Sequence, residues 1–164
     1  MTNPLADRLP PLGNLLAAAA RRLAAELDAG IAAAGFEHLR AAHAPVFQVI
    51  DPQGSRQTEL AARTGMTKQA VGELIRHLEA HGYVTVAPDP SDGRARMVTL
   101  TALGWRVVEA GSEVIARFDA ALDETIGHAE VTRLRATLTT IIGGAGSTYS
   151  AGHTEPTTVL KASL

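Results

Sequence analysis

Three consecutive polar residues, Thr67, Lys68 and Gln69, stand at the start of a predicted helix and could read the edges of base pairs. A glutamine can pair with adenine through two hydrogen bonds, and a lysine can reach guanine or a phosphate. On the same outer face, Gly72 would allow close approach to the backbone, and Arg76 would present a guanidinium group. Because the first turn of a recognition helix enters the major groove, this set predicts contact with double-stranded DNA.

A second set of donors, Asp92, Arg94 and Arg96, lies at the tip of a predicted β-hairpin. Its strands are predicted over residues 83–88 and 96–100, around a polar, turn-rich segment. An arginine on a projecting loop can enter a narrow minor groove, where the potential of DNA is most negative. Asp92 could hold Arg94 by a charge-assisted hydrogen bond. The alternative is a solvated turn with an incidental, weak ion pair.

A helix-turn-helix would position the first set. Residues 57–64 and 67–81 are predicted to form two helices joined by a short turn. Ala61 supplies the small side chain needed where the helices cross, and Gly65 tolerates the positive φ of the turn. Thr67 would cap the second helix. Its inward face is predicted to carry four apolar residues, Val71, Leu74, Ile75 and Leu78.

Further helices are predicted on both sides of this unit. Apolar residues recur at helical spacing over 12–31 and 36–50, where Pro45 would bend the second helix or mark an early turn. Thr101 would cap a long helix to about residue 125, and a last helix is predicted over 129–142. The long helix is expected to use an apolar stripe of Val108, Ile115, Phe118, Leu122 and Ile126. Because the terminal helices would leave apolar stripes exposed in a monomer, we expect a homodimer; the alternative is that they pack only on their own lobe.

These elements predict a mainly α-helical protein with a small β-hairpin wing, in which a winged helix-turn-helix lies between N- and C-terminal dimerisation helices. A single domain is expected, preceded by a short N-terminal extension and followed by a flexible tail. The expected boundaries are 1–11 for the extension, 12–142 for the domain, about 46–102 for its DNA-binding lobe, about 12–34 and 102–142 for the dimerisation helices, and 143–164 for the tail.

The charge balance argues mildly against nucleic acid as a partner. The 164 residues carry 15 Lys and Arg against 17 Asp and Glu, a net charge of −2, whereas many DNA-binding domains are strongly basic. Between residues 50 and 106 there are seven Lys and Arg and six Asp and Glu, so the middle of the chain is no basic block. A DNA-binding interpretation must therefore rest on where the donors point.

Composition limits the other function classes. Only 4% of the residues are aromatic, and the abundant alanine and leucine favour helices. The absence of cysteine excludes disulfides, thiol chemistry and cysteine–zinc sites. Charged residues interrupt the most apolar stretch and no signal peptide is recognisable, so we expect a cytoplasmic protein without membrane contact. No nucleophile motif, phosphate-binding glycine loop or pair of spaced carboxylates indicates an enzyme, and no cofactor is expected.

Histidine and aromatic residues on the second predicted helix are candidates for a small-molecule site, with core or surface positions as the alternative. They are Phe36, His38, His43 and Phe47. His77 and His81 have a spacing that zinc could use with a third ligand. His81, however, would end its helix, where a cation complements the helix dipole. We therefore predict no metal site.

The segment Asp89-Pro-Ser-Asp-Gly-Arg-Ala-Arg-Met-Val-Thr-Leu-Thr, followed by Gly104, resembles the wing signature of the MarR (multiple antibiotic resistance regulator) family. Upstream, Thr58-Glu-Leu-Ala and Met66-Thr-Lys-Gln-Ala-Val-Gly are similar to the helix-turn-helix of that family. The resemblance covers about 46–104 in motif and 12–142 in element order. The chain departs from many members in carrying Gly93 where they have a further arginine, and in lacking the cysteine of an oxidant-sensing branch.

The resemblance implies a homodimer on a palindromic operator, with Gln69 and its neighbours in the major groove and Arg94 in the minor groove. It also implies a repressor that is released by a small, often aromatic or phenolic, ligand. The alternative is a winged helix that serves only as a protein–protein interaction module. Such a docking surface would favour exposed apolar residues in place of Thr67, Lys68 and Gln69.

Overall fold

The computed structural model describes residues 9–144, and most of these are helical. The elements are α1 (Leu12–Ala33), a 3₁₀ turn (Ala41–His43) that runs into α2 (Ala44–Val49), β1 (Ser55–Arg56), α3 (Gln57–Thr64), α4 (Lys68–Ala80), β2 (Val84–Asp89), β3 (Asp92–Leu100), α5 (Ala102–Ile126) and α6 (His128–Gly144). The strands form one antiparallel sheet in the order β1-β3-β2. The predicted fold class is confirmed. Most of the predicted flexible tail lies outside the described residues, but residues 143 and 144 still belong to α6.

The predicted helix over 36–50 is wrong in its first half. After α1 the chain turns at Gly35, which has a φ of 90°, and a linker segment (residues 34–43) follows before α2. The linker buries Phe36 and Leu39 by means of turns rather than a helix. Pro45 lies in the first turn of α2, where its missing N–H costs no helical hydrogen bond. Of the two expectations for Pro45, the early turn is therefore the correct one.

The strand β1 was not predicted, because two residues are too few to show an alternating pattern. It follows the predicted turn at residues 51–54, in which the Gly54 N–H donates to the Asp51 carbonyl at 2.8 Å. Ser55 is fully buried. Its Oγ accepts from the Asp51 N–H at 3.0 Å and donates to the Asp51 carboxylate at 3.1 Å. This turn delivers the chain to the edge of β3 immediately before α3.

The wing differs from its prediction in two respects. Its tip is the turn at residues 90 and 91, and Arg94 lies within β3 rather than at the tip. The register is irregular there, because Pro88 pairs with Arg96 while Asp89 pairs with Asp92. Asp92 Oδ1 accepts from the backbone N–H of Arg94 at 3.1 Å, not from the guanidinium as predicted. Asp92 therefore shapes the backbone of this irregular stretch.

The core of the described residues joins α2, α3, α4 and the sheet. Its fully buried side chains include Val46, Leu60, Val71, Leu78 and Val98. Burial of each such side chain contributes about 1.5–3 kcal/mol to folding. The core fixes the position of α4 against the sheet and α3.

The apolar stripe predicted for α5 is offset from the one observed. The buried residues are Gly104, Val107 and Val114, whereas Val108, Ile115, Phe118 and Leu122 are half-buried and Ile126 is exposed. The packing of α5 along α1 sets this face, since a Cβ on Gly30 of α1 would lie 2.3 Å from a Val114 methyl carbon. Among residues 9–144 there is no helix with both the length and the apolar character to cross a membrane.

Candidate nucleic-acid interface

The start of α4 presents the first predicted set to solvent. Gly65, with a φ of 68°, makes the turn before it, and Thr67 Oγ1 accepts from the Ala70 N–H at 3.1 Å as the N-cap. Thr67, Lys68 and Gln69 are exposed, and so is Arg76 further along α4. The inward residues Val71, Ile75 and Leu78 are buried, and Leu74 is half-buried. The predicted helix-turn-helix is confirmed as geometry, and of the residues predicted on its outward face only Gly72 is half-buried rather than exposed.

A shallow recess brings the two predicted sets together. It lies between the start of α3, the first turn of α4 and β3, and Lys68, Arg94 and Arg96 line it together with residues 56–58. Within the part of the chain that the structure describes, these three cationic side chains have no ion pair or hydrogen bond. Because their charges are not neutralised internally, they can bind an anionic backbone such as that of DNA. Gln69 and Arg76 lie on α4 outside this recess.

Arg56 ties the wing to the start of α3, and the sequence analysis missed it. Its Nε donates to Asp89 Oδ2 at 2.6 Å, and its Nη2 donates to Ser91 Oγ at 3.0 Å. Asp89 is only 4% exposed. Its other oxygen accepts from the N–H and the hydroxyl of Ser91, both at 2.7 Å. These Ser91 bonds, with help from Arg56, lower the pKa of Asp89 to about 2. The carboxylate therefore stays charged and holds the hairpin turn against β1 at neutral pH.

Gly72 faces the side chain of Gln57. The Gln57 Nε2 donates to the Lys68 carbonyl at 3.3 Å, which links the start of α3 to the first turn of α4. A Cβ on Gly72 would lie 2.8 Å from this Nε2. The glycine therefore leaves room for an amide that braces the first turn of α4. Its predicted second role, close approach to DNA, stays a prediction.

A larger cleft of about 650 Å³ lies between α1, α2 and α5. Its walls are mostly apolar and include Ile31, Phe47 and Ile115, and the guanidinium-bearing residues Arg40 and Arg135 also line it. Of the four residues predicted for a small-molecule site, only Phe47 lines this cleft. Phe36 is in the core, in edge contact with Tyr83. His43 contacts His77 of α4, and His38 contacts His81, the C-cap of α4.

The remaining cleft residues could not be predicted from helical periodicity, because the cleft forms where separate helices meet. Its largest contribution comes from α5, which was considered only as packing surface. The position of a cleft depends on how helices are arranged in space, and a sequence period describes one helix at a time.

Comparison with known proteins assigns the fold and finds a family model that matches part of the chain. Residues 39–95 match the model of the MarR family. The structure of CouR from Rhodococcus jostii RHA1 bound to p-coumaroyl-CoA is similar at a TM-score of 0.67 and 24% identity, covering 85% of this chain and 95% of that chain. The repressor CouR bound to a 23-mer DNA duplex gives a TM-score of 0.72 at 24% identity, over 86% and 99% of the two chains. Apo MarR from E. coli gives 0.65 at 21% identity, over 83% and 99%.

A search among curated proteins found no significant sequence match. At identities below 25% the solved structures establish the winged-helix fold. The sequence match covers the linker segment from Leu39 through the helix-turn-helix and into the wing. On these two findings, residues 39–95 are similar to the MarR family, and the fold is that of solved MarR-family regulators.

Proposed function

We propose that this protein is a homodimeric, sequence-specific repressor that binds a palindromic DNA operator and is released by a small ligand. The observation that carries the DNA-binding part is the recess in which Lys68, Arg94 and Arg96 converge without internal partners. Cations from a recognition helix and from a hairpin meet there on one face. The solved structure of CouR with a DNA duplex supports this use of the fold.

Each predicted DNA-binding residue takes a role from its place in the structure. The exposed first turn of α4, with Thr67, Lys68 and Gln69, enters the major groove, and Arg76 contacts a phosphate further along the helix. Arg94 reaches the minor groove from β3. The hydrogen bond from its backbone to Asp92 holds the irregular stretch that presents it.

The dimer follows from apolar side chains that the described residues leave exposed. On α1 they are Leu12, Leu15 and Leu16, with exposures of 64%, 50% and 36%, and on α6 they are Leu134, Ile141 and Ile142, with 42%, 50% and 39%. A two-fold pairing of these helices would remove both stripes from water and set two recognition helices about 34 Å apart. It would also double the phosphate contacts, which compensates for the low net charge.

The ligand site of this proposal is the cleft between α1, α2 and α5. Its apolar walls suit a flat aromatic or phenolic molecule, and Arg40 and Arg135 suit an anionic group on it. CouR, with its bound p-coumaroyl-CoA, is a solved neighbour that carries such a ligand. A ligand can release DNA only by binding better to a conformer in which the two lobes are wrongly spaced. The cleft is suitably placed, because it separates the proposed dimerisation helices from the DNA-binding lobe.

The experiment is a titration of labelled DNA from upstream of the protein's own gene, with a scrambled duplex as competitor, at several salt concentrations. Four cations per protomer on this face, Lys68, Arg76, Arg94 and Arg96, have no carboxylate partner within residues 9–144. A dimer that engages all of them would give a salt slope of up to about 7 in magnitude. Equal affinity for both duplexes, or no binding, would refute the proposal.

Two variants distinguish contacts made at the recess from the general effect of net charge on DNA binding. Arg94→Ala should weaken binding and reduce the salt slope by about 2, because each dimer loses two phosphate-region contacts. Arg117→Ala on α5, where the side chain is 66% exposed and pairs with Glu113, makes the same change in net charge away from the recess and should leave the slope unchanged. Gln69→Ala should relax sequence preference more than it lowers affinity for scrambled DNA.

A further inference from the structure

Four histidine rings form a continuous row between the linker segment and the recognition helix. His43 stacks on His77 with ring centroids 4.6 Å apart and an interplanar angle of 22°. His77 contacts His81 at 4.4 Å, and His81 contacts His38 at 4.4 Å. Two of the rings belong to the linker segment and two to the C-terminal half and cap of α4. The row therefore spans the junction between these two elements.

Hydrogen bonds fix the orientation of these rings. His77 Nε2 lies 2.8 Å from the carbonyl oxygen of His38, and His81 Nδ1 lies 2.8 Å from the carbonyl oxygen of His77. Since a carbonyl can only accept, both nitrogens must carry hydrogen, and the second nitrogen of each ring is the one that can gain a proton. His43 Nδ1 lies 3.0 Å from the Arg40 backbone nitrogen. The same Nδ1 lies 3.1 Å from the Arg40 carbonyl oxygen, so the neutral ring can accept from the N–H and the protonated ring can donate to the carbonyl.

The charged and titratable groups around the row come from four elements. Arg40 lies in the linker segment itself, and Asp28 of α1 accepts from the Ala41 N–H at 2.5 Å. The Tyr83 ring, just before β2, lies 6.5 Å from the His81 ring. The guanidinium group of Arg106, on α5, lies over the ring of Phe36.

Burial is the main cause that lowers the pKa of His43, and the charges of His77 and Arg40 act in the same direction. The hydrogen bond with the Arg40 backbone and the charge of Asp28 oppose them. The surroundings thus favour the neutral form of His43.

The arrangement of the rings makes protons better ligands of this row than a metal ion. His43 and His77 are stacked, and the other two pairs of rings are tilted by 34° and 37°, whereas the ligands of a tetrahedral zinc site aim their nitrogens at one point. Among the residues that the structure describes, no group of three or more histidine, cysteine or acidic residues is placed to hold a metal. Two protonated rings in contact, by contrast, would repel each other directly.

We propose that the histidine row is a proton-sensitive joint, in which acidification separates the linker segment from α4 and weakens DNA binding. A first proton can be shared along the row, but a second places like charges on neighbouring rings. The separation then releases the C-terminal half of α4 from the linker segment. The DNA-binding output rests on the proposed function above. Its direction is diagnostic, because added positive charge on the protein otherwise strengthens binding to DNA.

The first test needs no DNA. Hydrogen–deuterium exchange on the full chain is compared at about pH 7.5 and about pH 5.5, a range in which histidine titrates, with correction for the intrinsic rate of exchange. Protection of residues 36–43 and 76–82 should fall by up to about tenfold at pH 5.5 for each histidine of the row that is protonated only in the open state. His77→Gln, which removes the ring that contacts both His43 and His81, should abolish this response. If that variant does not fold, His43→Gln takes its place and should reduce the response. His128→Gln is the control, since that side chain is 85% exposed on α6.

Equal protection at both pH values, or the same loss in the His77→Gln and His43→Gln variants, would overturn the proposal. A response that depends on added zinc and disappears with a chelator would replace the proton with a metal. In the DNA arm, the upstream duplex should bind wild type more weakly at the lower pH and His77→Gln equally at both. Unchanged or tighter binding by wild type would refute the coupling. An exchange response with no binding to upstream DNA at any pH would support the proton response of the histidine row and refute the proposed function instead.

Discussion

Replacement of Gly72 by alanine tests how α3 braces the recognition helix. The new Cβ would lie 2.8 Å from Gln57 Nε2, so the amide must move by roughly 0.6 Å to reach an ordinary contact of about 3.4 Å. Nε2 is the far end of a flexible side chain, and the movement itself costs little. It would, however, break the 3.3 Å hydrogen bond to the Lys68 carbonyl.

Two opposing contributions set the expected change in unfolding free energy. Alanine in a helix interior is favoured over glycine by about 1 kcal/mol, and the lost hydrogen bond costs about 0.5–1.5 kcal/mol. The Gly72→Ala variant should therefore lie close to wild type in stability. In a Gln57→Ala background neither the clash nor the bond exists, and Gly72→Ala should stabilise by about 1 kcal/mol. The coupling between the two positions is thus expected to be about 1 kcal/mol.

The assay is urea unfolding of wild type, both single variants and the double variant at one fixed protein concentration, since the stability of a dimer depends on concentration. A stabilisation by Gly72→Ala that is equal in both backgrounds would refute the role of Gln57. The same variants separate the second explanation for Gly72. If DNA needs close approach to the backbone there, Gly72→Ala should weaken DNA binding in the Gln57→Ala background too, where the fold no longer opposes the methyl group.

Three further changes test the wing, the core and the proposed dimer. Asp89→Asn should lower both stability and DNA affinity at neutral pH. Because the pKa of Asp89 is lowered to about 2, its stabilisation is present above the ordinary range of an aspartate and is lost as the pH falls toward 2. The urea midpoints of the variant and of wild type should therefore differ at neutral pH and converge at acid pH, and equal midpoints at neutral pH would contradict this. Gly104→Ala should destabilise, because its Cβ would lie 2.2 Å from the Tyr83 carbonyl oxygen. Its control Gly111→Ala, with one methyl carbon at 3.9 Å, should stabilise by up to about 1 kcal/mol; thermal unfolding in the reverse order would refute this packing. Leu15→Lys on the exposed part of α1 should yield folded monomers in analytical ultracentrifugation, and a retained dimer would place the interface elsewhere.

The helix-turn-helix was predictable because local rules determine it. The cap at Thr67 acts over three residues, and so does the cap at Thr101, whose Oγ1 accepts from the Gly104 N–H at 3.1 Å. The positive φ of Gly65 is likewise a property of one residue and its neighbours. The outward face of α4 follows from helical spacing once its buried side is known.

Contacts between residues distant in sequence were not predictable. The spacing of Phe36 and Leu39 fits a helix, yet turns after Gly35 bury both. Burial of an apolar side chain stabilises the core whether a helix or a turn carries it. The pairing of Arg56 with Asp89 joins residues on different strands, and nothing near either residue indicates its partner. Arg94 was expected at a loop tip because its neighbours are turn formers, but pairing with β2 extends the strand past it.

The linker segment and α2 are where the two proposed inputs meet. One side of this stretch contributes Arg40 and Phe47 to the cleft, and the other contributes His38 and His43 to the histidine row. Leu39, at 2% exposure, belongs to the core and also lines the cleft. A close-packed element of this kind shifts as a unit rather than deforming gradually, so a ligand in the cleft and a proton on the row would bias the same movement of α4. Thermodynamic linkage then requires reciprocity: a ligand that favours the separated conformer must bind more tightly at acid pH, and its binding must raise proton uptake by the row.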